Sequence, residues 1–166
     1  MRRQLVIAFL FASLVAVSAG CGGGGSDDGD SANLTPKAFV AQADEICTKS
    51  ENRIAAEFKA FQKKQTEESD GKGKGESPEE VKTRTHEAIE AVGIPQLHRL
   101  LDELRELEAP ASKEADMTAY LDALEEEIEA GEDDPQTLNG SPEKIFAKSE
   151  AAAKGLGFKV CANKNP

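Results

Sequence analysis

A hydroxyl residue directly followed by proline occurs at three points along the chain, and each pair precedes apolar residues spaced for a helix. The pairs are Thr35-Pro36, Ser77-Pro78 and Ser141-Pro142. A Ser or Thr side chain caps the first turn of a helix, and proline fits the first helical position because that residue needs no backbone donor. No segment alternates in polarity for long enough to build a sheet. The sequence therefore predicts an all-α fold, a bundle of about four helices with a kinked second arm.

The first helix is predicted to run from Thr35 to about Gln65. Its apolar residues recur at steps of three and four and form one stripe, which comprises Phe39, Val40, Ala43, Ile46, Cys47, Ile54, Phe58 and Phe61. The segment that follows, residues 66–76, contains several glycines and no large apolar residue. That composition predicts a solvated loop between the first helix and the second arm.

The second arm is predicted to start at Ser77 and to end before Pro110. Glu80 stands three residues after Ser77, which is the spacing at which a capping box closes. Pro95 lies inside the helical pattern. Because proline lacks a backbone donor and clashes with the carbonyl one turn earlier, we expect the arm to kink or break near Pro95.

Two further helices are predicted beyond the second arm. One opens at Ala111-Ser112 and ends at Ala130-Gly131, and the other opens at Ser141 and has Gly155 as its C-terminal cap. Residues 156–161 are short and alternate in polarity, so they are expected to lie as an extended tail against the bundle.

The N-terminal residues form a pattern that is typical of exported proteins. Two arginines precede an apolar run, residues 5–17, which is too short to span a membrane and normal for the core of a signal peptide. The run leads into Ser18-Ala19-Gly20-Cys21, which resembles the lipobox of bacterial lipoprotein precursors, with Ser18 where lipoboxes usually carry an aliphatic residue. The resemblance implies a lipid on the Cys21 thiol and cleavage by signal peptidase II before it. The alternative is an ordinary secretory signal cleaved near Ala19.

This resemblance sets the predicted division of the chain. Residues 1–20 are a lipoprotein signal peptide, residues 21–34 are the lipidated cysteine with a Gly/Asp-rich linker, and residues 35–166 are the helical domain. The linker has almost nothing apolar to bury, which predicts a flexible tether. The expected location is the extracytoplasmic side of the cell membrane, where the N-terminal lipid anchors the protein.

Two short stretches of the domain are similar to small uncharacterised helical lipoproteins of the bacterial cell envelope. They are Ala43-Asp44-Glu45-Ile46-Cys47 and Gly157-Phe158-Lys159-Val160-Cys161. The likeness implies an envelope location and a disulfide, and it implies no activity. If Cys21 carries lipid, Cys47 and Cys161 remain, and an oxidising compartment permits them to pair. The pair would hold the C-terminal tail, which has few other contacts, against the bundle. The alternative is two separate buried cysteines.

The overall charge limits the partners of the chain. The formal net charge is −11 at pH 7, and positive charge supplies most of the affinity for nucleic acids and anionic lipid surfaces. We therefore expect no nucleic-acid partner, and the charge favours solubility or a basic partner. No dinucleotide fingerprint, phosphate loop or other cofactor motif occurs, so no cofactor is predicted.

The chain has two histidines, His86 and His98. Each has a carboxylate one turn later, Glu90 and Asp102 respectively. A zinc site needs three or four ligands, and no nearby cysteine or second histidine completes one, so both are interpreted as surface histidines and no metal site is predicted.

The densest negative charge lies in Glu125-Glu126-Glu127 and the residues that follow. We expect this segment to be an exposed face that contributes little to stability, with weak cation binding as the alternative. Cys47 lies on an apolar stripe in a negatively charged chain, which favours a structural role over a nucleophilic one. With no catalytic motif in the sequence, we expect a protein that is not an enzyme.

Two hypotheses of function remain. In the first, the protein is a membrane-anchored envelope lipoprotein whose non-enzymatic helical domain docks a protein partner. In the second, the domain holds a small ligand or a cation within or between its helices. An apolar cavity with convergent polar groups would favour the second hypothesis, and a filled core with an exposed apolar patch would favour the first.

Overall fold

A computed structural model describes residues 34–68, 77–139 and 142–162. These residues form an all-α bundle of about four helices, with no strand among them, as predicted. The predicted signal peptide, Cys21 and its linker, most of the 66–76 loop and Ser141 lie outside the described residues. Of the helices in the described ranges, none combines the length and hydropathy that a membrane span requires.

The helices follow one another with short connections. Their bounds are α1 Pro36–Glu68, α2 Pro78–Ala88, α3 Ile94–Arg105, α4 Glu114–Asp133, α5 Pro142–Ile145 and α6 Ala147–Leu156. A π-helical turn, Ile89–Gly93, joins α2 to α3, and 3₁₀ turns occur at Ala111–Lys113 and Thr137–Asn139.

The first two helices begin at the predicted caps. Thr35 Oγ1 accepts a hydrogen bond from the Ala38 backbone N–H at 3.2 Å. At the start of α2, the Ser77 N–H donates to Glu80 Oε2 at 2.7 Å and the Glu80 N–H donates to Ser77 Oγ at 3.3 Å, which completes the capping box. The bond from the Ser77 backbone lowers the pKa of Glu80 below its ordinary value.

The predicted interruption near Pro95 is confirmed, and it takes the form of a π-helical turn. The Ile94 N–H donates to the Ile89 carbonyl five residues earlier instead of four. Pro95, one residue later, has no N–H to donate, and its ring would clash with the carbonyl group of the preceding turn of a regular α-helix. Because a π turn is wider than an α turn, the helical path can pass from α2 into α3 without a break at the proline.

Three predicted helix boundaries are wrong. The first helix continues to Glu68. Helix α4 passes through Gly131, the predicted end, and continues to Asp133. Gly131 has a packing role, because a Cβ at this position would lie 2.6–2.8 Å from side-chain atoms of Leu138. The absence of a side chain at Gly131 therefore allows Leu138, in the connection after α4, to pack against the helix.

The third wrong boundary is the C-terminal cap at Gly155. The last predicted helix is interrupted at Phe146, and α6 continues to Leu156. Gly157 then adopts a φ of 90°, while the Phe158 N–H bonds to the Ala153 carbonyl at 3.0 Å. This is a Schellman ending with glycine in the left-handed position, where other residues are strained.

The core lies between the N-terminal half of α1, α3, α4, α6 and the C-terminal tail. The main cluster of buried apolar residues comprises Phe39, Ala43, Cys47, Leu100, Leu101, Leu104, Met117, Tyr120, Leu124, Ile128, Phe146, Ala153, Leu156, Phe158, Cys161 and Ala162. Three further buried apolar residues, Ala88, Ile89 and Val92, lie outside this cluster.

Candidate functional site

The C-terminal tail, residues 157–162, is fixed to α1 by a disulfide. The Cys47 and Cys161 sulfur atoms lie 2.08 Å apart and the two Cα atoms 5.3 Å apart, so the structure contains the predicted pair. Both cysteines are buried, at 3% and 1% exposure. Since both thiols are consumed by the bond, Cys47 does not act as a nucleophile in this state.

A carboxylate on α1 binds the tail next to the disulfide. Asp44 Oδ1 accepts the backbone N–H groups of Lys159 and Val160, each at 2.8 Å. The tail takes a path of turns and bends there, so the predicted extended conformation is wrong. A bend aims two successive N–H groups at one oxygen, whereas an extended strand would point them to opposite sides.

Two aromatic rings of the bundle pack against Phe158 of the tail. The Phe158 ring lies 5.3 Å from the Phe39 ring and 5.7 Å from the Tyr120 ring, the second pair in an edge-on arrangement that aromatic quadrupoles favour. The Tyr120 hydroxyl is buried without a hydrogen-bond partner. Burial, and then the negative charges of Glu127 and Asp44, raise the pKa of Tyr120.

This region therefore brings together two stretches that are far apart in the sequence. Ala43–Cys47 supplies the carboxylate and one sulfur, and Gly157–Cys161 supplies the glycine hinge, the aromatic ring and the other sulfur. These groups satisfy one another: the carboxylate is bonded to backbone donors and the thiols to each other. The arrangement is a clamp that closes the bundle.

We expect Asp44→Ala to lower the free energy of unfolding by about 1–3 kcal/mol, because two backbone donors lose a charged acceptor. The tail should also be destabilised locally, so that the backbone amides of Lys159 and Val160 exchange faster with solvent. Urea unfolding and exchange measurements test this. The matched control is Glu45→Ala, since Glu45 is exposed and pairs with Lys49 on the surface. Equal losses in the two variants would contradict the role of Asp44.

Both histidines are half-exposed and contact the region around the end of α4. His98 Nε2 lies 2.8 Å from Glu132 Oε1, so its carboxylate partner is Glu132 and not Asp102. His86 lies 3.3 Å from Glu90, as the spacing suggested, and 2.9 Å from the Gln136 side chain. Within the described ranges no group of three or more His, Cys, Asp or Glu side chains is arranged to hold a metal ion.

The predicted exposed acidic face on α4 is wrong for Glu127. Glu125 and Glu126 pair with Arg105 and Lys148, at 2.6 and 2.7 Å. Glu127 is only 8% exposed, and its carboxylate accepts the Lys148 N–H at 2.9 Å and the Ser149 N–H at 3.4 Å.

Glu127 therefore caps the N-terminus of α6 from a neighbouring helix. Phe146, the residue at the cap position of α6, offers no side-chain bond to the first turn. A carboxylate at that end satisfies open donors and complements the helix dipole. The sequence contained a signal for this role, because residue 127 shares the buried face of Tyr120, Leu124 and Gly131 at helical spacing.

A polar seam crosses the contact between α1 and α3. It comprises Ser50, Arg53 and Glu57 of α1 with Gln96, Arg99 and Glu103 of α3. Arg53 and Arg99 donate to Glu103 at 2.9 and 3.1 Å, and Gln96 donates to Glu57 at 2.9 Å. Burial raises the pKa of Glu103, but the bonds from the two arginines outweigh it and hold the pKa below its ordinary value.

Two open grooves lie on the surface of the described residues. One, of about 310 Å³, is lined by Glu126, Glu127, Ala130, Thr137, Lys144, Ile145 and Lys148. The other, of about 360 Å³, is lined by Glu79, Lys82, Thr83, His86 and Gln136. Both mix opposite charges and open broadly to solvent. Among the large hydrophobic side chains in the described ranges, Val81 is the exposed one, at 41%.

Comparison of the chain with models of protein families, with curated proteins and with solved structures found no match.

Proposed function

We propose that the protein is a lipid-anchored lipoprotein of the bacterial cell envelope whose helical domain is a non-enzymatic interaction module. The observation that carries the proposal is the Cys47–Cys161 disulfide. Structural disulfides persist in oxidising compartments, which supports export of the domain. Of the three cysteines in the chain, this pairing leaves Cys21, which directly follows the signal-like segment. An N-terminal lipid on Cys21 accounts for that remaining thiol.

The chemistry of the domain supports binding better than catalysis. Its two cysteines are bonded to each other, and the buried carboxylate of Glu127 is engaged with backbone donors. A general acid–base or nucleophilic site would need such groups turned toward a substrate. A tethered domain of this kind acts by presenting its surface to another protein of the envelope.

Substitution of Cys21 by serine is expected to abolish anchoring. The Cys21→Ser chain should incorporate no radiolabelled palmitate and should accumulate as uncleaved precursor. The processed wild type should partition into detergent, because a lipid chain contributes about 0.8 kcal/mol of membrane affinity per buried CH₂. The matched control is the double variant Cys47→Ser/Cys161→Ser, which keeps Cys21 and should still be labelled. A wild-type protein that is soluble and cleaved after Ala19 would contradict the proposal.

Partner capture separates the two hypotheses of function. The lipidated protein, cross-linked in the envelope and purified in detergent, should bring down a protein partner that a cytoplasmic chain lacking residues 1–20 does not. Recovery of a small molecule or a cation in stoichiometric amount, without a protein, would instead favour the ligand-binding alternative.

A further inference from the structure

The apolar interior of the domain is divided into two parts. Ala88, Ile89 and Val92 are buried, yet they do not belong to the main core cluster. The π turn that carries Ile89 contacts α1. In the distal half of α1, Ile54, Phe58 and Phe61 are half-buried and likewise lie outside that cluster. A Cβ on Gly93 would lie 3.7 Å from Phe58 Cζ and 3.8 Å from an Ile89 methyl group, which places these side chains around one point.

We call this second part the distal hairpin, defined as residues 53–68 of α1 with α2 and the π turn. Its helices run antiparallel, since Gln65 bonds to Glu87 and, nearer the core, Glu57 bonds to Gln96. The buried residues of α1 end at Ser50, and α2 buries only Ala88. The distal hairpin therefore has a thin apolar interior of its own.

The polar seam lies where the distal hairpin adjoins the core. Along α1, Arg53 and Glu57 lie between Cys47 of the core and Phe58 of the hairpin, and Gln96 of α3 donates to Glu57. The seam leaves Ser50 Oγ, Arg53 Nε and Gln96 Oε1 buried without a hydrogen-bond partner. Buried polar atoms without partners weaken the contact in which they lie, because their lost hydration is not replaced.

Backbone features strengthen this division. The π turn at Ile89–Gly93 breaks the regular α-helical hydrogen bonding where the second arm crosses from the hairpin to the core. The disulfide and the Asp44 clamp hold only core elements together, namely the first half of α1 and the tail. The core is thus covalently reinforced and the distal hairpin is not.

We propose that the distal hairpin is a separate cooperative unit, which opens and closes while the disulfide-bonded core stays folded. Opening breaks the small cluster around Phe58 and Ile89 at the seam and exposes their apolar faces. Closing restores the antiparallel pair. Regions with few buried apolar contacts open at a lower free energy than the global unfolding of a protein. This inference does not depend on the anchor or on any partner.

Native-state hydrogen exchange of the purified full chain tests the proposal. Amides of α2 and residues 55–66 of α1 should be about 100-fold or more less protected than amides of α4 and α6, and should share one opening free energy and one denaturant dependence. Protection that rises steadily from the free end of each helix would indicate fraying and would overturn the proposal. Equal protection in the hairpin and the core would overturn it as well.

Two variants make the test independent of absolute rates. Phe58→Ala should lower protection in the distal hairpin about 10- to 100-fold and leave α4 and α6 unchanged. Ile128→Val, in the main core, should lower protection in α4 and α6, by about 3- to 10-fold. If Phe58→Ala lowers the protection of α4 and α6 as much as that of α2, the domain is one cooperative unit and the proposal fails.

A third variant tests the seam itself. Gln96→Met replaces the buried amide with an apolar side chain of similar shape, which joins the two clusters. Hairpin protection should rise about threefold or more, because an unpartnered buried oxygen is removed. A Gln96→Met chain whose hairpin protection is unchanged or reduced would overturn the role of the seam.

Discussion

The double variant Cys47→Ala/Cys161→Ala is expected to unfold with a free energy about 4–5 kcal/mol lower than that of the disulfide-bonded chain. The bond joins residues separated by 114 positions, and so closes most of the domain into one loop. In the chain-entropy account, such a cross-link acts mainly on the unfolded state, whose freedom it restricts. Since the free energy of unfolding of a single domain is about 5–15 kcal/mol, this loss is a large part of the total stability.

The tail should respond first to the loss of the bond. Residues 157–162 are then held by Asp44 and by the burial of Phe158, against a backbone ordering cost of about 1–2 kcal/mol per residue. Those two contacts offset only part of that cost. We therefore expect the Lys159 and Val160 amides to exchange faster in the double variant even under conditions where α4 remains protected.

Urea unfolding in a Cys21→Ser background measures the effect without thiol exchange from the N-terminal cysteine. A matched control is provided by dithiothreitol, which should destabilise the disulfide-bonded chain to the level of the double variant and leave the double variant unchanged. Peptide mapping without reduction should recover the Cys47 and Cys161 peptides joined. Freely alkylated thiols in the oxidised, folded protein, or a loss below about 1 kcal/mol, would contradict the stapling role.

The parts of the fold that the sequence predicted are those decided by local chemistry. Thr35 and Ser77, each followed by proline, accept hydrogen bonds from backbone N–H groups three residues later. Their capping roles can therefore be predicted without knowledge of the tertiary structure. The interruption near Pro95 was predictable for the same reason, since proline removes a donor in any context. Its form as a π turn was not, because several local rearrangements would serve equally.

The wrong boundaries concern glycines whose roles depend on distant residues. Gly131 looks like a helix end in the sequence, but Leu138 packs where its side chain would be and α4 continues past it. Gly155 and Gly157 are equally plausible caps by position, and burial of Leu156 decides between them by extending α6 to that residue. Tertiary packing therefore overrides local propensity at these two ends.

The candidate site was predicted in its covalent part and missed in its polar part. Cys47 and Cys161 could be paired from the buried stripe and the predicted export of the chain. The bonds from Lys159 and Val160 to Asp44 could not, because they depend on a bend in the tail that the alternating pattern did not indicate. Charged residues in a helix are assumed to face water by default, and Asp44 and Glu127 depart from this because each meets backbone donors of another segment.

The Glu127→Ala chain is expected to lose about 2–4 kcal/mol of stability, more than any other single carboxylate of α4. Removal of the carboxylate leaves the Lys148 and Ser149 N–H groups at the start of α6 without this acceptor, and Ser149 is fully buried. Orphaned buried donors cost more than the net value of the bond itself, and a lost helix cap costs about 0.5–2 kcal/mol in addition. Glu127→Gln keeps one acceptor oxygen, so its loss should be about half as large.

Glu126→Ala is the matched control, because Glu126 is the neighbouring residue and also contacts Lys148. Its bond joins two side chains that are 65% and 64% exposed, and exposed pairs contribute little net free energy. Urea unfolding should therefore separate the two variants clearly, and near-ultraviolet circular dichroism should report loosened packing around Tyr120 only in Glu127→Ala. Equal losses would show that the acidic segment acts through its summed charge. A large stabilisation by calcium that Glu127→Gln abolishes would assign the carboxylate to a cation instead of to α6.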